Sequence, residues 1–258
     1  MQGASLEVQS LVLAFGKVTA VNNVSLKVKA GELVSIIGPN GAGKTSLLNC
    51  INGFYRPQSG KILLDGRDVT KVPMHVRARM GIARTFQNVQ LYLHETVLEN
   101  VRAAYAAYAR YDPISLLKSM LWLGPAAREE EKVFESAEEI IDYLEMWEYR
   151  NRVVAHLPLG LKRRVELARA LALNPKVLLL DEPMSGLTFD EKYDMVRFVL
   201  DLNEEKGITV LLIEHDLKVV MEVTPRVVVM HQGTVIADGP PLEVAAAPKV
   251  IEAYIGGG

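Results

Sequence analysis

The stretch "LVSIIGPNGAGKTSLLN", residues 33–49, decides the fold of this chain. Its opening run "LVSIIG" lacks apolar–polar alternation, which is typical of a strand buried on both faces of a sheet. The segment "GPNGAGKTS", residues 38–46, then fits the pattern G-x-x-x-x-G-K-[ST], and we expect a helix to begin near Gly43. Strand, loop and helix in this order predict a phosphate-binding loop, whereas a chance glycine-rich turn is the alternative.

This loop carries the groups that the phosphates of a nucleotide require. Backbone N–H groups of the loop and of the helix start would surround the phosphates, Lys44 would reach the β and γ phosphates, and the Thr45 hydroxyl would hold magnesium. We therefore expect a binding loop made of Gly38, Pro39, Asn40, Gly41, Ala42, Gly43, Lys44, Thr45 and Ser46.

Two further apolar strands end in side chains that suit phosphate chemistry. "VLLLDEP" supplies Asp181 to complete a magnesium shell and Glu182 to orient or deprotonate a water in line with the γ phosphate. "LLIEHD" supplies His215 to the same sheet edge, where the imidazole can hydrogen-bond the γ phosphate or the attacking water. A solvated strand end for the two carboxylates and a structural role for the histidine are the alternatives.

A third polar strand end is Gln87 in "RTFQN". Its amide can coordinate magnesium or water and can signal into the helical segment that follows, and a surface glutamine is the alternative. The sequence thus predicts Glu182, His215 and Gln87 as catalytic residues. It predicts Thr45, Gln87 and Asp181 as magnesium ligands.

The remaining segments predict three structural regions. The alternating residues 6–28 indicate an antiparallel hairpin or edge sheet, and helical periodicity from Thr96 to about Arg152 indicates an inserted helical subdomain. Helices and buried strands then alternate in the order of a parallel α/β sheet. We expect residues 1–87 and 165–258 to form the core with the antiparallel region, and residues 88–164 to form the helical and signature subdomain.

Composition excludes several classes of function. Lys and Arg total 29 against 31 Asp and Glu, a net charge of −2, so no global field favours nucleic acid as a partner. The single cysteine, Cys50, excludes an internal disulfide, and we interpret it as a small buried residue rather than a reactive thiol. The start does not resemble a signal peptide, and no apolar run approaches the roughly 20 residues that span a bilayer, so a membrane function requires a partner.

The order of these motifs resembles the nucleotide-binding subunit of ATP-binding cassette (ABC) transporters over nearly the whole chain. "GPNGAGKTS" matches Walker A, "RTFQN" the Q-loop, "VLLLDEP" Walker B, "SGLTFDE" the D-loop and "IEHD" the switch histidine. Phe15 stands where the family has the aromatic residue that stacks on adenine, and a core aromatic is the alternative. The resemblance implies a P-loop NTPase (ABC ATPase) core with a mostly parallel sheet, an antiparallel β subdomain and an inserted helical subdomain. It also implies ATP and Mg²⁺ as cofactors.

Within the family, "GIARTFQNVQLYLHETVLENV", the long insert before the signature and the ending "VIEAYIGGG" are similar to the branched-chain amino acid importer group. This resemblance implies a head-to-tail ATPase dimer, either a heterodimer or a homodimer, that sandwiches two ATP molecules. The dimer would lie beneath two membrane permease subunits, fed by a solute-binding protein, as a peripheral complex at the cytoplasmic face of the plasma (inner) membrane. Related importers of urea, amides or aromatic acids share these features, so the residues do not name the solute.

Two other functions fit a single cassette. One is a soluble ABC protein that acts in assembly or repair, although a repair ATPase would have a much longer insert and a translation factor would have two cassettes. The other is the ATPase of a lipid or polysaccharide exporter.

The stretch "LPLGLKRR", residues 157–164, departs most from the family, which has a serine, two glycines and a glutamine at this helix start. In the family the serine hydroxyl and the glycine amides bind the γ phosphate held by the opposite subunit. Pro158 has neither a hydroxyl nor an N–H, although proline suits a helix start. Gly160 and the backbone amide of Leu161 stay available to bind phosphate. The sequence therefore leaves open whether this signature is functional at the ATP site of the partner subunit.

Two other features accompany this departure. Lys162, Arg163 and Arg164 lie in the first turn of the expected helix, where cations oppose the macrodipole. These cations would interact with phosphate or with a carboxylate of the partner subunit. Alternatively, they form a solvated basic face with an ion pair between Lys162 and Glu166. In the D-loop, Thr188 replaces the usual Asp or Asn, which puts communication between subunits through that position in doubt.

Overall fold

The computed structural model describes residues 3–85, 90–108 and 125–255. Contacts within the chain define two compact units. The first contains Met1–Gln87, Pro175–Ser185 and Phe189–Gly258, and the second contains Asn88–Asn174 and Gly186–Thr188.

Ten strands and nine α-helices occur in the described residues. The strands are β1 (Leu6–Phe15), β2 (Val18–Val28), β3 (Leu33–Ile37), β4 (Ser59–Leu64), β5 (Arg67–Asp68), β6 (Ile82–Arg84), β7 (Val177–Asp181), β8 (Thr209–Ile213), β9 (Arg226–His231) and β10 (Thr234–Gly239). The helices are α1 (Lys44–Asn52), α2 (Met74–Arg79), α3 (Val97–Tyr108), α4 (Pro125–Tyr143), α5 (Leu159–Leu171), α6 (Phe189–Glu204), α7 (Leu217–Val223), α8 (Pro241–Ala245) and α9 (Pro248–Ile255).

The larger sheet of the first unit has the strand order β10-β9-β3-β8-β7-β6. Its strands run parallel from β9 to β6, and β10 pairs with β9 in the antiparallel direction. Every residue of β3, β7 and β8 is buried, because apolar side chains cover both faces of these central strands. The predicted mostly parallel sheet is therefore confirmed.

The smaller sheet of the first unit is antiparallel, with the order β2-β1-β4-β5. Leu6 pairs with both Val28 and Leu64, so β1 lies between β2 and β4. Leu6, Val8, Leu11 and Leu13 of β1 are buried. The alternation shifts by one residue between Val8 and Leu11, where the strand pairing is irregular. The predicted antiparallel region over residues 6–28 is confirmed.

The second unit is mainly helical. Helices α3, α4 and α5 pack against one another, and a bridge between Thr96 and Val153 joins the segments that precede α3 and α5. A capping box begins α3: the Glu99 backbone N–H donates to Thr96 Oγ1 (3.2 Å), and the Thr96 backbone N–H donates to Glu99 Oε2 (3.0 Å).

Helix α5 decides where the second unit ends. The expected boundary between residues 164 and 165 falls inside this continuous helix, and the second unit extends to Asn174. A helix packs as one body along its buried face, so a boundary in its middle would expose that face. The second unit begins at Asn88. Among the described residues, no helix is long and apolar enough to cross a membrane.

Arg77 stabilises the end of α1 from within the first unit. Its side chain is fully buried, and its guanidinium donates to the carbonyl oxygens of Cys50 (2.6 Å) and Ile51 (2.7 Å), which end the helix. Cys50 is itself buried, and burial raises the pKa of its thiol to about 11, so the thiol stays protonated at neutral pH.

Replacing Arg77 with methionine should destabilise the first unit, because the substitution keeps much of the volume but leaves buried carbonyl groups without donors. We expect a loss of about 2–3 kcal/mol in the free energy of unfolding, measured by urea denaturation. The matched control is Arg79→Met, since Arg79 is an exposed arginine on the same helix, and its effect should stay within about 0.5 kcal/mol. Equal losses for the two variants would contradict the structural role of Arg77.

Candidate nucleotide-binding site

The loop of residues 38–46 leaves β3 and enters α1 through two glycines that no other residue can replace. Gly38 and Gly43 have φ values of +149° and +98°. A Cβ added to Gly38 would lie 2.0 Å from the carbonyl oxygen of Met230, and one added to Gly43 would lie 2.1 Å from that of Ala20. Both glycines are therefore required by close backbone approach as well as by conformation. Helix α1 begins at Lys44, where the sequence predicts it.

Lys44 folds back over this loop. Its Nζ donates to the carbonyl oxygens of Gly38 (2.7 Å) and Pro39 (3.1 Å), and the residue is only 6% exposed. Burial lowers the pKa of Lys44, whereas the charges of Glu182 and Asp181 oppose that shift. A buried cation surrounded by loop backbone suits an anionic ligand such as phosphate.

Asp181, at the end of β7, binds two partners with its two oxygens. The Thr45 hydroxyl donates to Oδ1 (3.3 Å), and Arg84 Nη2 donates to Oδ2 (2.7 Å). Arg84 Nη1 also donates to Asn49 Oδ1 (2.6 Å), so this arginine ties β6 to both β7 and α1. Arg84 was not among the predicted site residues, although its place at the end of a parallel strand was the signal that could have identified it.

The donor set around Thr45 fits magnesium. A hydroxyl and a carboxylate oxygen are hard ligands, and Mg²⁺ usually takes its other ligands from phosphate and water. No group of three or more His, Cys, Asp or Glu side chains that could hold a metal occurs in the described part of the chain.

Glu182 and His215 meet beside the loop. His215 Nε2 lies 2.6 Å from Glu182 Oε1, and the Glu182 backbone N–H donates to the carbonyl oxygen of Ile213 (2.9 Å). This backbone bond extends the pairing of β7 with β8 beyond Asp181. Glu182 has a φ of +51°, a left-handed conformation that is unfavourable for a residue with a side chain. The structure thus brings together the two residues that the sequence predicted at adjacent strand ends.

A cleft of about 610 Å³ joins these groups in the first unit. Its lining comprises Phe15, Val18, Thr19, Ala20, Asn40, Gly41, Ala42, Gly43, Lys44, Thr45, Ser46, Glu182, His215 and Gln232. Phe15 is 48% exposed and contacts Tyr55 edge to face with ring centroids 5.0 Å apart, so it is not a core residue. Gln232, in the turn between β9 and β10, was missed because nothing in its local sequence indicates a contact with the loop.

Five predicted site residues are not among those that line this cleft. Three of them contact lining residues: the carbonyl oxygens of Gly38 and Pro39 accept hydrogen bonds from Lys44, and Asp181 accepts one from Thr45. The other two are Gln87 and Gly160. Gln87 lies outside the described residues. Gly160 is buried near the start of α5 in the second unit.

The three cations after Gly160 have partners within the second unit. Lys162 Nζ donates to the carbonyl oxygen of Ala155 (3.1 Å), and Arg164 lies 3.8 Å from a carboxylate oxygen of Glu145. The expected pair between Lys162 and Glu166 is wrong. Glu166 instead binds Arg163 Nη1 (3.0 Å) and the Gln90 backbone N–H (3.1 Å), because Arg163 and Glu166 are both buried and the two charges therefore need each other as partners.

The chain is similar to proteins of one known family. A family model described as ABC transporter matches residues 21–185. The chain is 41% identical over 251 residues to the high-affinity branched-chain amino acid transport ATP-binding protein BraF of Pseudomonas aeruginosa, with 97% of each chain covered. It is 39% identical to LivG of Escherichia coli, a protein of the same description, again with 97% of each chain covered.

Solved structures give the same result. A nucleotide-free ATP-binding cassette from an ABC transporter aligns with a TM-score of 0.84 at 35% identity, covering 98% of this chain and 99% of that one. A dimeric bacterial ABC transporter cassette aligns with a TM-score of 0.76 at 27% identity, covering 92% and 98% of the two chains.

Replacing Gly43 with alanine should weaken ATP binding at least about 100-fold, because the new methyl group would collide with backbone and force the loop to move. The matched control is Gly41→Ala. Gly41 also has a positive φ, of +80°, but no atom of the described residues lies within 4 Å of its added carbon. This variant carries only conformational strain and should lose about tenfold in affinity. Titration with a fluorescent ATP analogue measures both, and equal losses would contradict the role of close approach.

Proposed function

The chain belongs to the ABC transporter family, and from this premise we propose that it is the ATP-hydrolysing subunit of an importer for branched-chain or related amino acids. The observation that carries the proposal is the cleft in which Lys44, Thr45, Glu182 and His215 line one space. The solute class is supported by relatives of 39–41% identity over 97% of the chain, which are named for branched-chain amino acid transport. A lipid exporter or a soluble assembly ATPase has no comparable support.

The binding loop and its neighbours hold the nucleotide. Backbone N–H groups of residues 40–46 and the Lys44 ammonium bind the β and γ phosphates, and Phe15 stacks on the adenine. Thr45 and Asp181, together with Gln87, would hold magnesium, which would supply positive charge to the phosphate oxygens. Arg84 keeps the Asp181 carboxylate oriented towards Thr45.

Glu182 and His215 act on the water that attacks the γ phosphorus. Glu182 accepts the proton of that water as the new P–O bond forms and the bond to the β–γ bridging oxygen breaks, which releases ADP and phosphate. His215 Nε2 lies 2.6 Å from Glu182 Oε1. This contact holds the imidazole beside the carboxylate within the cleft. The imidazole donates to the γ phosphate or to the water.

The functional unit is a head-to-tail dimer with a second ATP-binding subunit, docked on two membrane permease subunits at the cytoplasmic face of the membrane. A solute-binding protein delivers the solute on the opposite side. Dimerisation is supported by the dimeric cassette that aligns with this chain at a TM-score of 0.76. In such a dimer each ATP contacts the binding loop of one subunit and the signature of the other.

The signature of this chain contributes weakly to the ATP site of its partner. Helix α5 begins after Pro158, whose ring offers neither an acceptor nor an N–H, and the next residue, Leu159, is 40% exposed where the family has a small residue. The cations that follow bind groups of their own unit, which argues against a compensating role towards phosphate. Backbone N–H groups of Gly160 and Leu161 remain the available donors. The complex is therefore an asymmetric heterodimer with one fast and one slow site.

Replacing Glu182 with glutamine should abolish function without abolishing ATP binding, since the amide keeps the size of the side chain but cannot accept the proton. We expect hydrolysis by the assembled transporter to fall at least about 100-fold and uptake of labelled leucine by a complemented deletion strain to be lost. Glu205→Gln, on an exposed glutamate after α6, is the control and should leave both rates unchanged. Undiminished hydrolysis would remove Glu182 from its role, and unchanged leucine uptake in the deletion strain would contradict the solute class.

Restoring the family signature should accelerate the subunit purified alone. The triple substitution Pro158→Ser, Leu159→Gly and Leu161→Gln supplies a hydroxyl donor that is worth about 10²–10³ in rate at comparable sites, so we expect at least about a tenfold gain in ATP hydrolysis. The exposed Leu242→Gln serves as control and should give no gain. If the triple variant folds and binds nucleotide but gains nothing, the natural signature is competent and the asymmetry has no basis in this stretch.

A further inference from the structure

We infer that Glu214 is a positioning residue for hydrolysis, whose buried carboxylate ties the turn that carries Glu182 to the turn that carries His215. The inference rests on the proposed function, because it takes Glu182 and His215 to act on ATP. Glu214 itself does not line the cleft, and it acts through these two residues.

Each oxygen of Glu214 binds a different segment. Glu214 directly follows β8 and is only 4% exposed. Oε1 accepts the backbone N–H of Met184 (3.0 Å), which lies two residues after Glu182, and Oε2 accepts the backbone N–H of His215 (3.2 Å). One side chain therefore holds the backbone on both sides of the contact between Glu182 and His215.

Glu182 needs such support because its backbone is strained. A left-handed conformation persists in a residue with a side chain only where surrounding contacts maintain it. The bond from the Glu182 N–H to the Ile213 carbonyl (2.9 Å) fixes the segment on the β7 side. The bond from the Met184 N–H to Glu214 fixes it on the other side.

The contacts close a ring. Glu214 binds the His215 backbone, the His215 imidazole lies 2.6 Å from the Glu182 carboxylate, and the segment after Glu182 returns to Glu214 through Met184. Any shift of the Glu214 carboxylate therefore changes the position of the imidazole relative to the Glu182 carboxylate. Both groups must align with one water, so small shifts reduce the rate.

Burial of a carboxyl group at this position is unfavourable in free energy. Burial raises the pKa of Glu214, the nearby charge of Glu182 raises it further, and the two backbone N–H groups oppose the shift. An apolar side chain would pack at this position without the desolvation of a carboxyl group. The acid is explained by the two acceptors that it supplies to two separate segments.

The test is Glu214→Gln in the assembled complex with its partner subunits. The amide keeps the size of the side chain but replaces one acceptor oxygen with an NH2 group, so one of the two backbone N–H groups loses its partner. We expect kcat to fall at least about tenfold, with KM and the Kd for ATP within about twofold, because the binding loop is not part of the ring. A kcat within twofold of wild type would overturn the inference.

The matched control is Glu32→Gln. The Glu32 carboxylate also accepts a backbone N–H, from Lys29 (2.7 Å), but Glu32 precedes β3 and so lies at the opposite edge of the sheet. It should leave kcat unchanged. An equal fall in kcat for this control would overturn the inference, since loss of any such contact would then suffice.

A double-mutant cycle separates positioning from general destabilisation. If Glu214 acts through His215 and Glu182, adding Glu214→Gln to His215→Ala should reduce kcat by much less than it does in the wild-type background. Equal fold-reductions in the two backgrounds would overturn the inference.

Amide hydrogen exchange gives a readout that needs neither hydrolysis nor a stable variant. In the wild-type protein the Met184 and His215 amides should be protected like those of β7 and β8, and solvent-like exchange at both would overturn the inference. A wild-type complex that does not hydrolyse ATP would instead refute the proposed function. An active wild type with a fully active Glu214→Gln variant refutes only the role of Glu214.

Discussion

The close approach of backbone to backbone around the phosphate-binding loop is the constraint on which the first unit depends. Gly233 donates its N–H to the carbonyl of Ala42 (3.0 Å) and accepts the N–H of Asn22 (2.8 Å), so the turn after β9 touches both the loop and β2. These contacts join the parallel sheet to the antiparallel sheet at the loop itself. A side chain at Gly43 would push the loop away from Ala20 of β2, and one at Gly38 would push it away from Met230 of β9, since each would meet a carbonyl oxygen at about 2 Å. The same backbone approach that connects the two sheets therefore shapes the cleft.

The parallel register of β7 and β8 produces the chemistry beside that loop. Asp181 pairs with Ile213, so the residues that follow each strand emerge side by side at one edge of the sheet. Asp181, Glu182 and Glu214 bring three carboxyl groups to this edge, and each has hydrogen-bond partners that hold it in place. Carboxyl groups as buried as those of Asp181 and Glu214 persist only with such partners, and the partners also fix the directions of the acids. The carboxyl groups at this edge of the sheet are therefore held in place by the hydrogen bonds that they need when buried.

In the second unit, the basic residues at the start of α5 are paired within the unit itself. Its helices carry cations at the start of α5, where the macrodipole disfavours them, yet each cation binds a carbonyl or a carboxylate of its own unit. The basic residues therefore stabilise the unit, and the backbone N–H groups of the first turn are left as the donors for a ligand. This distinction supports an asymmetric complex, because a partner phosphate would meet backbone alone and no serine hydroxyl.

Local sequence patterns were sufficient to predict many of the elements and to propose most of the candidate site. Local periodicity and the glycine-rich pattern predicted β3, the loop and α1, and apolar runs that end in polar residues predicted the places of Asp181, Glu182 and His215, because these signals depend only on near neighbours. The tertiary structure alone decided the rest. It extended the second unit to Asn174 along an unbroken helix, exchanged Lys162 for Arg163 as the partner of Glu166, and brought in Arg84 and Glu214. Arg84 and Asp181 are 97 positions apart, and Glu214 and Met184 are 30 apart, so no local pattern encodes their contacts. Such contacts form only when the order of strands in the sheet brings distant segments together, and that order is a property of the whole packed unit.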